Sequence, residues 1–123
     1  MEQATSGFVL AAGEGRRLRP LIGQRAKALA PVCGIPLLEL ACSYLSLFSV
    51  TTLIVNTWAQ KKQVVAACGK IARKYHLRLR LSPEEQLSGT GGGLRKGVTL
   101  VPESSHFLVH NVDIILDYDL SVL

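Results

Sequence analysis

Residues 7–20 read GFVLAAGEGRRLRP. The first half, from Gly7 to Ala12, is apolar without a break and stops at Gly13. That is the pattern of a strand buried on both faces, as in the middle of a parallel sheet. Two small residues and two glycines then turn the chain, and Arg16, Arg17 and Arg19 come at once. In parallel α/β sheets, ligands sit beyond the carboxyl ends of the strands, and this turn falls at that position. Small side chains at Ala11 and Ala12 let a planar group approach the backbone. Gly13 and Gly15 let successive amide N–H groups turn toward phosphate oxygens.

Outward from this stretch the chain alternates. Residues 13–35 read as a long loop punctuated by Pro20, Gly23, Pro31 and Gly34. Pro36 opens a helix through about Phe48. Residues 51–56 (TTLIVN) are a strand rich in β-branched side chains. From Ala59 to Tyr75, apolar Val64, Val65, Ala67, Cys68, Ile71, Ala72 and Tyr75 form a helical stripe. Residues 76–81 (HLRLRL) alternate strictly, which predicts a half-exposed strand near a sheet edge with Arg78 and Arg80 toward solvent. Ser82 to Thr90 reads as a loop, Gly91 to about Val101 as a helix entered through glycines, and His106 to Val112 as a last strand closed by Asp113. This alternation predicts parallel pairing with right-handed crossovers. The expected fold is a three-layer, Rossmann-like α/β domain on a mostly parallel sheet.

The 123 residues make one domain, long enough to bury roughly two thirds of the unfolded surface. With 48% apolar and 19% charged residues, a disordered chain is excluded. The net charge of +5 admits either nucleic acid or a phosphate-rich small molecule. A nucleic-acid surface needs a continuous basic stripe interleaved with stacking aromatics. Here Trp58, the three tyrosines and the three phenylalanines fall mostly at core-like positions, and Lys61, Lys62, Lys70, Arg73 and Lys74 read as one solvated helix face. No nucleic-acid partner is expected. No apolar run reaches the roughly 18 residues of a membrane span, and MEQATSGFVLAAG has no basic leader. A cytoplasmic protein without membrane contact is the expectation. Cys33, Cys42 and Cys68 form no CxxC pair and read as reduced apolar fillers. His76, His106 and His110 lack zinc spacing and read as structural.

Two common nucleotide motifs are absent. A dinucleotide fingerprint needs a third glycine where Leu18 stands, and no GxxxxGK[ST] exists. What remains is a GxG turn with Arg16, Arg17, Arg19, Arg25 and Lys27 close behind and Glu14 as the only nearby acid. At this point the chain resembles a family. LAAGEGRRLRPLIGQRAKALAPVCGIPLLE (10–39) is similar to the signature LAAGxGTRLRPLTxxxPKxLxPVxGxPLL of the sugar-1-phosphate nucleotidyltransferases. IVNT (54–57), SPEEQLSGTGGGL (82–94) and FLVHNVDIILDYDL (107–120) agree as well. The glycine run after Pro83-Glu84 looks most like the N-acetylmuramate-1-phosphate uridylyltransferases and mannose-1-phosphate guanylyltransferase-like enzymes.

The resemblance implies transfer of a nucleoside monophosphate from a nucleoside triphosphate to a sugar 1-phosphate, with release of pyrophosphate and Mg²⁺ as cofactor. It implies that Arg17 grips the triphosphate, that Lys27 sits beside the α-phosphate, and that Asp113 holds the metal. It places Leu10, Ala11, Ala12, Gly13 and Gly15 against the nucleotide, with Glu84, Gly91 and Gly92 at the base and UTP as the first choice. The chain departs from the signature at Arg16 and Ile22, where threonines are usual, and at Ala28, often proline. Val112 replaces a common glycine, and Ala26 replaces the proline before the lysine, which leaves the Lys27 backbone freer. Catalytic domains of the family run past this chain's length, so residues 1–123 correspond to an N-terminal nucleotide-binding part without the sugar-binding part. Weak nucleotide binding, little or no transfer, and self-association through an exposed face are the expectations. The alternatives are a catalytically silent nucleotide-binding regulatory module and transfer to an alcohol phosphate such as phosphocholine.

Overall fold

Strand β1 (Thr5–Leu10) lies between β4 (Val50–Thr57) and β6 (Phe107–Asn111), and β5 (Arg78–Pro83) pairs with the outer side of β4. All pairings in this four-stranded sheet, ordered β5-β4-β1-β6, are parallel. The computed structural model describes residues 5–87, 89–101 and 106–122. Ser88, within the expected 82–90 loop, and the first four residues of the N-terminal stretch lie outside them. Among the described residues, no helix is long and apolar enough to cross a membrane.

Alternation along the strands sorts side chains to two faces. Gly7 and Val9 sit in register with Leu53 and Val55, and this face meets α2 (Leu37–Ser46) and α3 (Lys61–Tyr75). Leu38, Cys42 and Leu45 from α2 and Val64, Cys68 and Ile71 from α3 complete that core. Phe8 and Ile54, in register on the opposite face, are fully buried under α4 (Gly89–Val98). The three-layer arrangement expected from the sequence is therefore present. β5 is an edge strand, as its alternation predicts, and Arg78 and Arg80 are exposed.

The glycines of α4 explain a helix of low intrinsic propensity. A Cβ on Gly97 would stand 1.6 Å from the Phe8 ring. The helix can lie on β1 only because no side chain projects there. It enters at Gly89, whose φ of +73° is left-handed, and it starts two residues before the sequence expectation.

The expected long loop after β1 holds more structure than proline and glycine punctuation suggests. It contains a 3-10 turn (Arg16–Leu18), one helical turn α1 (Arg19–Ile22), a second 3-10 turn (Lys27–Leu29), and a small antiparallel hairpin of β2 (Pro31–Val32) and β3 (Ile35–Pro36). Cys33 occupies the hairpin turn, exposed and at φ +51°, so it is not the apolar filler expected of it. Cys42 and Cys68 do fill the core, and burial pushes their thiols up to about 12 and about 11. Among the aromatics only Phe8 is fully buried; the other core-like assignments are half-buried, and Tyr118 is exposed.

Connections from β1 run to β4 on one side and, through α4 on the other face, return to β6 on β1's far side. The order of strands reverses beside β1. In an open α/β sheet the crevice at such a reversal receives the ligand, and the Gly13–Arg17 turn leaves β1 there.

Candidate active site

Beyond Leu10 the chain is held by the fold before it is free to meet a ligand. The Leu10 carbonyl accepts the Val112 N–H at 3.2 Å, and the Ala11 N–H donates to Asn56 Oδ1 at 2.6 Å. Ala11 and Ala12 are both buried. Asn56 is 4% exposed, at the carboxyl end of β4. Its side chain extends the sheet ladder by one step past the strand end, and so sets the direction in which the glycine turn departs. The residue sits inside the IVNT segment, yet nothing local marks it as part of the site. The available signal is an amide in an otherwise apolar and β-branched strand.

Of the two glycines in the turn, only Gly15 takes a left-handed angle, φ +68°. Its missing side chain also matters for space: a Cβ there would come within 2.7 Å of Lys27 Cβ. Gly13 lies under the outer part of the same lysine, 3.7 Å from Cδ and 3.8 Å from Nζ if a Cβ were present. The Lys27 stem therefore crosses the glycine turn in van der Waals contact and carries its ammonium toward the end of β6. There Nζ meets Asp113 Oδ2 at 2.9 Å.

Asp113 lies just past β6, in a turn closed by the Ile114 N–H donating to the Asn111 carbonyl at 3.1 Å. The bond from Lys27 holds its carboxyl below the usual carboxylate range, so it is ionised at neutral pH. Half of its side chain stays open to solvent. His110 steadies the same turn: its Nε2 lies 3.0 Å from the Ile114 carbonyl, and its ring faces Tyr44. This is the structural role expected of a histidine here.

Gly15, Arg16, Arg17, Leu18, Lys27, Leu37 and Asp113 line one cleft of about 570 Å³. The structure thus brings Gly15, Arg17 and Lys27, all from the segment after β1, together with Asp113 from beyond β6. Arg16 is turned back onto Glu14, while Arg17 has no such partner among the described contacts. Glu84, Gly91 and Gly92 do not line this cleft. Glu84 is buried at the end of β5, and its backbone N–H donates to the Thr57 carbonyl at 2.8 Å. Gly91 is open on its outer side, with room for a Cβ. The two regions meet at Asn56 and Gly93: a Cβ on Gly93 would be 2.9 Å from Asn56 Nδ2 and 3.0 Å from Glu84 Oε1. One amide therefore lies between the glycine turn and the Glu84 loop.

The segment before Lys27 is not freer for lacking a proline. Gln63 of α3 accepts the Ala26 N–H on Oε1 at 2.9 Å, and its Nε2 donates to the Gln24 carbonyl at 2.9 Å. Ala26 is 3% exposed. The expectation of a loosened backbone is corrected by a side chain 37 positions away.

A parallel three-layer sheet, a strand-order reversal and a cationic glycine turn at that reversal define an α/β domain of the Rossmann-like class with an anion-suited turn where such sheets receive ligands. Similarity to known proteins carries the assignment further. Residues 7–120 match the MobA-like NTP transferase domain, and the chain belongs to that family. The N-acetylmuramate alpha-1-phosphate uridylyltransferase of Caulobacter vibrioides is 37% identical over 116 residues, covering 92% of this chain and 48% of the relative. The mannose-1-phosphate guanyltransferase of Aspergillus fumigatus is 31% identical over 112 residues, covering 90% of this chain and 31% of the relative. Among solved structures, the CTP:phosphocholine cytidylyltransferase of Streptococcus pneumoniae superposes with a TM-score of 0.74 at 26% identity, covering 96% of this chain and 49% of that one. This chain spans half or less of the length of each.

Proposed function

We propose that this domain binds a nucleoside triphosphate across the Gly13–Arg17 turn and serves transfer of its nucleoside monophosphate to a sugar 1-phosphate. One observation carries the reading: Lys27 and Asp113 meet at 2.9 Å across the strand-order reversal, in the cleft that Arg17 also lines. In such a transfer a sugar-phosphate oxygen bonds to the α-phosphorus while the bond to the β-phosphate bridging oxygen breaks, and pyrophosphate leaves. The protein's part is positioning and charge neutralisation. Arg17 holds two oxygens of the triphosphate with its planar fork. Lys27, a compact charge, tracks the negative charge that develops at the α-phosphate. Gly15 leaves room for the lysine stem, and the buried Ala11 and Ala12 keep the turn's entrance small.

Asp113 fits a magnesium ion of a particular kind. Among the described residues no three His, Cys, Asp or Glu side chains gather into a cage. A single ionised, half-open carboxylate suits a hard cation that takes its other ligands from phosphate oxygens and water. Bound there, the ion would supply charge neutralisation at the phosphates.

The Caulobacter relative supports UTP as the nucleotide and a sugar 1-phosphate as the acceptor. Because the matched region is 48% of that relative, we assign nucleotide binding to these 123 residues and efficient transfer to the region that the relative carries beyond the match. Three thiols without a disulfide support a reducing, cytoplasmic setting. Exposed Ile114, Ile115, Leu116 and Tyr118 support self-association through that face.

The test is Mg²⁺-dependent binding of UTP, CTP, GTP, ATP and dTTP, with Lys27→Ala alongside. UTP is expected to bind best, and the substitution to weaken it by about tenfold, the value of one charge-assisted bond. A folded protein that binds none of the five would overturn the reading.

A further inference from the structure

We infer that Gln63 is the positioning residue for Lys27, acting as a clamp that fixes the backbone on which the lysine is carried. This inference rests on the nucleotide reading above. Gln63 stands in the first turn of α3, and its amide engages both sides of the segment that precedes Lys27. Oε1 accepts from Ala26 N–H and Nε2 donates to the Gln24 carbonyl, each at 2.9 Å. Gln60 Oε1, at 3.4 Å from the same Nε2, steadies the amide's orientation.

The clamp matters because the lysine has a weak base of its own. Lys27 opens a 3-10 turn only three residues long, held by Ala26 and Lys27 carbonyls accepting from Leu29 and Ala30 at 2.9 and 3.0 Å. So short a turn has little stability of its own. From this base the Lys27 stem must cross Gly15 and Gly13 and deliver Nζ to the cleft. A side chain with four rotatable bonds is aimed only as well as its Cα is fixed. Gln63, held on a helix of 15 residues packed in the core, gives that Cα a rigid reference.

Ala26 has φ −59° and ψ 140°, angles that a proline adopts without strain. A proline there would restrain the same backbone from within the chain, but it would remove the N–H that Gln63 accepts. The two devices are alternatives at one position, and this chain uses the amide. The clamp is thus open to a rescue that a generic packing role would not show.

The experiment takes two readouts in Gln63→Ala, Ala26→Pro and the double variant. The first, without nucleotide, is the rate at which an amine-acylating reagent modifies Lys27, resolved by peptide mass. The second is UTP affinity with Mg²⁺. Gln63→Ala is expected to raise Lys27 modification and weaken UTP binding, each by about threefold to tenfold, as for loss of a hydrogen-bonded restraint. Adding Ala26→Pro is expected to return both toward wild type. Unchanged modification and affinity in folded Gln63→Ala overturn the clamp, as does a loss that Ala26→Pro fails to repair. If Gln63→Ala does not fold, Gln63→Glu keeps the acceptor for Ala26, loses the donor to Gln24, and serves the same comparison. A wild-type protein that binds no triphosphate, but whose Lys27 modification responds and is rescued, overturns the nucleotide reading and supports the clamp.

Discussion

Asn56 joins two parts of the site that are far apart in sequence. Its Oδ1 takes the Ala11 N–H, a buried donor with no strand partner in that direction, and its Nδ2 lies against Gly93 beside Glu84. Asn56→Ala leaves that donor unpaired, which costs about 1–3 kcal/mol, and frees the start of the glycine turn. A lower urea midpoint together with weaker UTP binding is expected; an unchanged midpoint would show that the bond does not hold the turn. Arg17 and Lys27 stand out in the sequence because cations clustered behind a glycine turn are a local signal, whereas Asp113 is singled out only through the resemblance at residues 107–120. Asn56 and Gln63 are not, because their partners lie 45 and 37 positions away and only folding brings them into reach. His110 has a different consequence. Burial, before any other cause, pushes its imidazole below the ordinary value, against weaker opposition from the Ile114 carbonyl and Asp113. The folded protein therefore holds it neutral where the unfolded chain already takes a proton. Its contribution is complete above about pH 6.5 and is lost progressively as pH falls toward the folded value. Asp113 and Glu39, both held below the usual carboxylate range by lysine partners, lose their contributions only at more acid pH. Between pH 7.5 and 5.5, urea midpoints should fall in the wild type and fall less in His110→Leu. Parallel slopes would remove His110 as the cause.

Elements are set by what their side chains omit as much as by what they carry. Helix α4 holds five glycines in ten residues, a composition that argues against helix on propensity alone. It forms because Gly97 lets its backbone reach Phe8 and Gly93 lets it close on Asn56 and Glu84. Its existence is legible in the sequence but its first turn is not, since the left-handed entry at Gly89 is a tertiary choice. The long loop after β1 is hard to read for a similar reason. Its two 3-10 turns and hairpin carry no hydrophobic period, and the second turn is fixed by Gln63 of α3 and by the burial of Ala26, Ala28 and Ala30 in the core. Gly97→Ala puts a methyl group 1.6 Å from the Phe8 ring, so either the helix or the ring must move. Overpacking of this kind costs about 1–3 kcal/mol or more, and the melting temperature should drop by several degrees. Gly91→Ala, at a position with open space, is the control and should leave it near wild type or raise it through better helix propensity. Equal melting temperatures for the two variants would mean that α4 does not press on β1 as described.

The whole molecule places its polar chemistry and its exposed apolar surface on neighbouring parts of the sheet. β6 is an edge strand, and its Val109 is 49% exposed. Just beyond Asp113, Ile114, Ile115, Leu116 and Tyr118 run in the open, and Tyr44 reaches them with a hydrogen bond from its hydroxyl to the Tyr118 carbonyl at 2.7 Å. Layers and parallel pairing can be anticipated from alternation, and an exposed face from the resemblance to longer chains, but the side chains that form it cannot be, because they depend on which strand ends the sheet. An edge strand beside consecutive apolar side chains is a surface that a second strand or a second copy can cover. A second copy is always available in solution, so sedimentation velocity over a wide concentration range should show the weight-average mass rising with concentration. Ile115→Glu puts a charge on the most exposed isoleucine of the run and should shift association to higher concentration, since burying that carboxylate unpaired is costly. Ile115 lines a separate hollow with Tyr44, His110 and Leu116 and not the cleft of Lys27 and Asp113, so UTP binding by Ile115→Glu should match the wild type. A wild-type chain that sediments as a monomer throughout would show that the apolar run is tolerated in water. Association unaffected by Ile115→Glu would place the contact elsewhere, with the unpaired β6 backbone as the next candidate.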